Sequence, residues 1–518
     1  MARFLRRFCQ LGALAVLALS PARAETVLRV VPQADLRVLD PQITTATITR
    51  IHGQMIYDLL FAWDSELNPR PQMVGETRIS DDRLTYEFTL RDGLRFHDGS
   101  PVTARDAVAS IRRTARTEPL LQLLAQRTAA LEAVDERRFR IVLTRPFAHV
   151  ERALASPAAV VMRERDMEAA GNAPVTTTIG SGPFRFNRAG FIPAARIAYD
   201  RNPDYVPRAE PPSGLSGGKV VRLDRVEWHV IPDLATRMNA IMQGEVDLLD
   251  QLPHDGVAPL RRRRDVVVEV PSPLGSWAFL RPNALVPPFN DPRARQALAL
   301  LVDQPEYLSA AFTTDESLWR RCFSFMGCDT PTATEAGSEP YRNPAPERAR
   351  ALLAEAGYRG EPIRILTTQE IPLIDALSQV TAARLRSIGV NVEMENSDWG
   401  TLVVRRARKD PPDRGGWHIF HTGTEVATVL QPATNAFIDT RCDGNNSPGW
   451  PCSEEVEALR VAAAESPTPE RLAALNEALW RALPSIPLGQ YRQLIARRSN
   501  VTGLVPGPVL VFWNIEKR

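Results

Sequence analysis

Leu90-Arg-Asp-Gly-Leu-Arg-Phe-His-Asp-Gly-Ser-Pro-Val-Thr-Ala-Arg-Asp-Ala-Val108 is the stretch on which the reading of this chain turns. It begins at the end of an alternating strand in which Tyr86, Phe88 and Leu90 share one face. A turn holding His97-Asp98 follows. Thr103 with Asp106 then has the form of a capping box, in which a hydroxyl and a carboxylate satisfy free amides at a helix start. Ala107, Val108 and Ile111 open the apolar face of that helix, and Phe139, Ile141 and Leu143 repeat the strand pattern beyond it. Strand, capped helix and strand together make a mixed α/β unit.

The same grammar recurs outward. Val226, Trp228 and Val230 alternate as a strand, Leu234, Met238, Ile241 and Met242 follow at helical spacing until Gly244, and a short strand through Val246 and Leu248 completes a β-α-β unit. A second series starts after Pro271. Asp291-Pro292 supplies an N-cap and a first-turn proline, with Ala294, Ala297, Leu298 and Leu301 on one face. Leu352, Leu353 and Ala356 form a helix that stops at Gly357. Leu377, Val380, Leu385 and Ile388 form another, ended by Gly389 ahead of an alternating strand through Val390, Val392 and Met394. Residues 207–219 and 408–416, rich in Pro and Gly, read as exposed loops. Two α/β bodies are predicted, with no repeat and no transmembrane segment.

Composition narrows the function. The 518 residues are 44% hydrophobic and 24% charged, with 63 Lys+Arg against 61 Asp+Glu, which excludes a disordered chain and offers no electrostatic basis for nucleic acid. Residues 1–24 read as an export signal: Arg3, Arg6 and Arg7, an apolar run from Leu11 to Leu19, and a small-residue exit at Ala22-Arg23-Ala24. That run is about half of what a membrane span requires. Cleavage before Glu25 would put the mature chain outside the cytoplasm, and no Cys at that point provides a lipid anchor. Taking the four arginines of residues 1–24 from the 63 leaves 59 basic against 61 acidic residues, so the mature chain is formally −2 instead of +2.

Four cysteines remain in it, Cys322 close to Cys328 and Cys442 close to Cys452, and an even count in an exported chain predicts two disulfides. The competing four-thiolate zinc site uses spacings of about two to four residues. Here five and nine residues intervene.

The quoted stretch resembles the signature segment of the family 5 extracellular solute-binding proteins of ABC importers, the group with dipeptide-, oligopeptide- and nickel-binding receptors. Supporting phrases occur in that family's order: Gly180-Ser-Gly-Pro-Phe, Asn202-Pro-Asp-Tyr205, Gln243-Gly-Glu-Val-Asp247, Phe289-Asn-Asp-Pro-Arg-Ala-Arg-Gln-Ala297 and Ala349-Arg-Ala-Leu-Leu-Ala-Glu-Ala-Gly357. The resemblance implies an α/β, two-lobe periplasmic-binding-protein clamp (type II, cluster C-like) with an extra subdomain in lobe I. Carried onto this chain, lobe I is residues 25–271 with a subdomain inserted at about 68–178, lobe II is 272–485, and 486–518 return to lobe I. The two crossings would form a hinge.

Catalytic constellations are hard to find. Gly180-Ser-Gly-Pro lacks the G-x-S-x-G form of a nucleophile elbow and the glycine pattern of a dinucleotide site, so it reads as a turn. His97-Asp98 reads as structural, and the basic run at residues 261–264 as a solvated face. In peptide-binding relatives the segment matching Trp417-His-Ile-Phe-His421-Thr-Gly-Thr-Glu425 carries a Trp and then an Asp that pairs with the ligand's amino group. This chain departs from that pattern, since no Asp occurs until Asp439, and Glu425 is the carboxylate on offer.

The ligand-binding candidates are therefore Thr44, Thr45, Trp277, Trp399, His421, Thr422, Gly423, Thr424 and Glu425, with Trp277 and Trp399 supplying apolar cover. His418 and His421 invite a metal reading, but residues three apart on a strand face opposite sides, so only one can face a cleft and no metal site is assigned. The expected protein is a monomeric periplasmic receptor with no catalytic residue and no cofactor. It would bind an oligopeptide or related small solute and deliver it to ABC permease subunits in the inner membrane. The alternatives are a nickel or metallophore receptor of the same fold and a secreted hydrolase.

Overall fold

The computed structural model describes residues 25–252, 254–272, 274–507 and 509–518, so the expected signal at residues 1–24 lies outside the described residues. Two large mixed sheets and one smaller antiparallel sheet organise the chain. The first large sheet runs Val266–Glu269, Ile495–Arg498, Leu248–Leu249, Val27–Val31, Arg225–His229, Arg196–Arg201 and Phe184–Phe186. Val27–Val31 sits centrally and is parallel to both neighbours, with Leu28 and Val30 wholly buried. The expected β-α-β unit forms around it. Asp233 caps the helix Leu234–Gln243 by accepting from the Thr236 amide, and Gly244 ends it at φ +76°.

The second large sheet runs Trp319–Arg320, Ile486–Tyr491, Ser276–Pro282, Ile419–Glu425, Ile363–Thr367 and Val392–Asn396. Every residue of Ser276–Pro282 is buried, as a central strand covered on both faces should be. Ile486–Tyr491 pairs antiparallel with it. That pairing moves the expected boundary: the strand from Ile486 belongs to the second sheet, and the chain rejoins the first sheet only at Ile495. The other crossing falls between Glu269 and Ser276.

The smaller sheet orders Val74–Ile79, Thr85–Leu90, Arg138–Leu143 and Thr128–Ala133, and the helix Ala104–Thr114 packs on it. Its capping box is complete: the Thr103 amide donates to Asp106 Oδ2 at 2.8 Å, and the Asp106 amide donates to Thr103 Oγ1 at 3.4 Å. Phe88 stacks on Phe139 with ring centroids 5.0 Å apart, the core contact that the alternation of both strands requires.

Gly180-Ser-Gly-Pro is a close-packing device. A Cβ on Gly180 would fall 1.7 Å from the Ile56 carbonyl oxygen. His97 pins this turn, accepting from the Gly180 amide at 3.2 Å and reaching the Gly182 carbonyl at 3.2 Å through its other nitrogen.

Both disulfides form, Cys322 with Cys328 and Cys442 with Cys452. The segment 207–219 departs from the expectation of an exposed loop. Its second half is buried, because Leu215 enters the core and Lys219 forms an ion pair with Asp58 at 2.8 Å in which neither side chain meets solvent.

Candidate functional site

The two lobes meet on apolar residues from both. Ala34, Ile48 and Ile51 of the first pack in one cluster with Ile371, Ile374, Trp399 and Phe420 of the second. Within this contact lies a cavity of about 70 Å³ lined by Gln33, Thr45 and Gln251 on one side and Ser276, Trp399, Arg406, Thr422, Gly423, Thr424, Glu425 and Tyr491 on the other. That is under half of the roughly 150 Å³ that admits one benzene. Three further cavities adjoin the central one. One of about 410 Å³ shares Thr45 and Arg406 with it, one of about 470 Å³ shares Gln251, Leu373 and Gln493, and a small one of about 40 Å³ shares Gln33, Thr47, Gln251, Ser276, Glu425 and Gln493.

Of the residues singled out in the sequence, six line the central cavity: Thr45, Trp399, Thr422, Gly423, Thr424 and Glu425. Thr44 lines the neighbour of about 410 Å³, with its hydroxyl accepting from the Ala46 amide at 3.2 Å. Thr424 shares its hydroxyl with that of Thr428 at 3.0 Å. Trp399 opens the helix Trp399–Arg406, whose cap is the Asp398 carboxylate accepting from the Thr401 amide at 3.0 Å. Gly423 is required by close approach, since a Cβ there would lie 2.6 Å from the Tyr491 hydroxyl.

Two residues stand elsewhere. Ser276 faces the cavity, so its neighbour Trp277 points to the opposite side of the strand, where it stacks on Phe279 at 4.6 Å in the core of the second lobe. His421 is covered by the helix Pro372–Ser387: Nδ1 lies 3.0 Å from Ser378 Oγ and Nε2 2.7 Å from Thr381 Oγ1. Burial drops its pKa to about 3, so the ring is a neutral core group with both nitrogens occupied. His418 accepts from the Arg364 amide at 2.9 Å, and burial lowers it to about 4.

The electrostatics of the site centre on two acids from facing lobes. Burial pushes the Glu425 carboxyl up to about 8; the hydrogen bond from Ser276 Oγ, 3.3 Å from Oε2, opposes this, and the Asp250 charge adds to it. Burial likewise raises Asp250 to about 6, against the Gln33 amide that donates to it at 3.3 Å. Among the described residues, neither has a cationic side chain in contact. Burial and the Glu425 charge hold the Tyr491 phenol in its protonated form. The site therefore concentrates carboxylate in a place that disfavours charge, and an arriving cation would satisfy it.

The family "Bacterial extracellular solute-binding proteins, family 5 Middle" matches residues 68–435, most of the chain. This chain belongs to that family. Among its relatives, a "Probable peptide ABC transporter periplasmic-binding protein" of Sinorhizobium fredii is 41% identical over 494 residues, covering 93% of this chain and 92% of the relative. Among solved structures, the PBP AgaA from A.tumefacien R10 in complex with agropinic acid superposes with a TM-score of 0.80 at 21% identity, covering 95% of this chain and 99% of that one. A dipeptide binding protein from Pseudoalteromonas sp. SM9913 in complex with Met-Leu superposes at 0.77 and 19% identity, covering 95% and 100%. The two-lobe fold of this family 5 solute-binding protein is thereby shown.

Sequence reading missed several lining residues of this family 5 protein. Gln33, Gln251, Tyr491 and Gln493 sit at strand ends and crossings, where no periodic pattern marks them. Arg406 carried one usable signal, since it lies seven residues after Trp399 and so two helical turns along the same face.

Proposed function

We propose that this protein is the solute-binding component of an ABC importer, exported by residues 1–24 and acting as a monomer in the periplasm. It encloses a peptide, or a related small solute bearing an amino group, between its lobes and passes it to the inner-membrane permease. The similarity to a probable peptide-transporter binding protein of Sinorhizobium and to the Met-Leu complex of the Pseudoalteromonas neighbour supports the choice of ligand class. The observation that carries it is Glu425, a carboxylate lining the interlobe cavity and lifted to about 8 with no cation against it. A ligand ammonium supplies the missing charge.

Thr45, Thr422, Gly423, Thr424 and Trp399 would line the ligand, with Trp399 covering its apolar surface. Closure would rotate the lobes about the crossings at residues 270–275 and 492–494. No reaction is catalysed: the polar groups of the cleft bind and orient. A thermal-shift panel of short peptides on the mature protein tests this, because a ligand selective for the folded state raises the melting temperature by mass action. Peptides with a free amine should raise it. No shift from any member of a panel spanning two to five residues would overturn the reading.

A further inference from the structure

Asn446 is only 8% exposed, and its amide nitrogen donates to the Asp439 carbonyl at 3.1 Å and to the Pro451 carbonyl at 2.7 Å. Carbonyls can only accept, so these two fix which way the amide faces. Its Oδ1 is left buried and, among the described residues, without a hydrogen-bond partner. The loop around it is closed by the Cys442–Cys452 disulfide and tied to the strand Ser276–Pro282 by Arg281, whose Nε donates to the Pro448 carbonyl at 2.7 Å. A buried acceptor on a loop so fixed calls for a donor from outside the chain.

Its position shows where that donor would come from. Asn446 lines the cavity of about 410 Å³ that joins the central one at Thr45 and Arg406. Among the described residues of the four interlobe cavities, no other side chain carries a buried polar atom without a partner. The walls are carbon from both lobes: Val38, Ile43 and Pro119 on one side, Val403, Val404 and Ala436 on the other. Ile43 is 37% exposed and Val404 65%, an apolar surface that the fold itself does not cover. Four polar side chains there are engaged within the chain: Glu118 pairs with Arg50 at 2.7 Å, Asp439 with Arg441 at 2.8 Å, and the Thr117 and Ser447 hydroxyls donate to the Gln42 and Ala436 carbonyls at 2.7 and 2.6 Å. The space is more than twice the roughly 150 Å³ that admits one benzene, so a bicyclic ring fits.

An occupant must therefore bring much carbon and a single donor. Leucine, methionine and phenylalanine side chains bring no donor. Lysine and arginine bring a positive charge toward Arg406, glutamine and asparagine a second polar group without a partner, and serine and threonine little carbon. An aromatic ring with an indole N–H or a phenol O–H meets both demands.

We propose that this cavity is an aromatic subsite, in which Asn446 Oδ1 accepts from the N–H of an indole or the O–H of a phenol while Ile43 and Val404 cover the ring from opposite lobes. The solute is then a peptide with tryptophan or tyrosine near its amino end. This rests on the peptide-receptor reading and adds to it the side chain that the cleft selects.

Calorimetric titration of the mature protein tests it with dipeptides that join alanine, in either order, to tryptophan, 3-benzothienylalanine, tyrosine, phenylalanine or a second alanine. Benzothienylalanine keeps the shape of tryptophan without the N–H, as phenylalanine keeps that of tyrosine without the O–H. Wild type should bind the donor-bearing member of at least one pair about tenfold more tightly. A preference within the tryptophan pair assigns the indole, and one within the tyrosine pair assigns the phenol. Asn446→Leu should level the preferred pair. Val404→Glu, at an exposed position, should erase the advantage of the aromatic dipeptides over dialanine.

Equal binding within both pairs by wild type, or a preference that survives Asn446→Leu, overturns the aromatic subsite, while any bound dipeptide leaves the peptide receptor standing. Tryptamine and tyramine, with their benzothienyl and phenyl counterparts, separate the two readings: if these amines show the preference and no dipeptide binds, the peptide reading falls and the subsite stands. If no probe binds, both fall. Should Asn446→Leu fail to fold, the pairs in wild type and the response of Val404→Glu decide.

Discussion

Ser276 and Glu425 are register partners in adjacent antiparallel strands, and the serine hydroxyl donates to the glutamate Oε2 at 3.3 Å where the two lobes meet. The serine comes from the strand that enters the second lobe, and the glutamate ends the strand beside it. The pair ties the cleft's carboxylate to the first crossing.

Glu425 makes stability fall with rising pH. Its folded-state pKa of about 8 lies above the ordinary value of 4.5, so between those values the folded chain holds a proton that the unfolded chain has released. The stabilisation is complete below about 4.5 and lost as pH rises through about 8. Melting temperature should decline over that window in the ligand-free protein, and Glu425→Gln should flatten the decline, leaving the smaller contribution of Asp250 up to about 6. A decline that persists unchanged in the variant would refute the assignment.

Gly423→Ala should reduce ligand affinity by about tenfold, because the added methyl collides with the Tyr491 hydroxyl, 2.6 Å from the new Cβ, at the cavity wall. Removing that hydroxyl should restore most of the loss. Titrating Gly423→Ala, Tyr491→Phe and the double variant forms a cycle with a favourable coupling; additive losses would mean that the two positions act apart.

Lys219→Met should destabilise by about 3–5 kcal/mol, since it strands the Asp58 carboxylate, which burial disfavours and the Lys219 ammonium holds below its ordinary pKa. The exposed pair Arg78 and Glu76 provides the comparison. Arg78→Ala should cost under about 1 kcal/mol. Urea unfolding of both variants checks the contrast.

Each disulfide closes a short loop, of sequence separation 6 for Cys322–Cys328 and 10 for Cys442–Cys452. Chain-entropy arguments give about 2–3 kcal/mol for loops of that size. Replacing either pair with serines should lower unfolding stability by about that amount. Mass spectrometry without reduction should show both bonds in the exported protein.

Much of the fold was legible because its signals are local. The Thr103–Asp106 capping box, the alternation through Phe88 and Phe139, and the Asp233 and Gly244 helix ends all depend on residues within a few positions of one another. What stayed hidden depends on distant pairing. Nothing near Ile486 says that its strand joins Ser276–Pro282, and nothing near Lys219 says that Asp58 waits for it. In the site, the segment ending at Glu425 was found through its resemblance to the family's ligand-binding stretch, with Glu425 as the carboxylate on offer. Trp277 and His421 were misplaced because aromatic and imidazole groups suit a core as well as a cleft, and only the covering elements decide which. Arg406 escaped notice because an arginine at a helix end is ordinary until the cavities it lines are seen.

The central claim, that the cleft takes the free amine of a peptide-like solute on Glu425, is tested most directly by calorimetry of one short peptide with a free and with an acetylated N-terminus, near pH 7 in two buffers of different ionisation enthalpy. The free amine should bind at least about tenfold more tightly and release close to one proton, because Glu425 must ionise to meet it. Equal affinity for the two forms, with no proton released, would contradict the account.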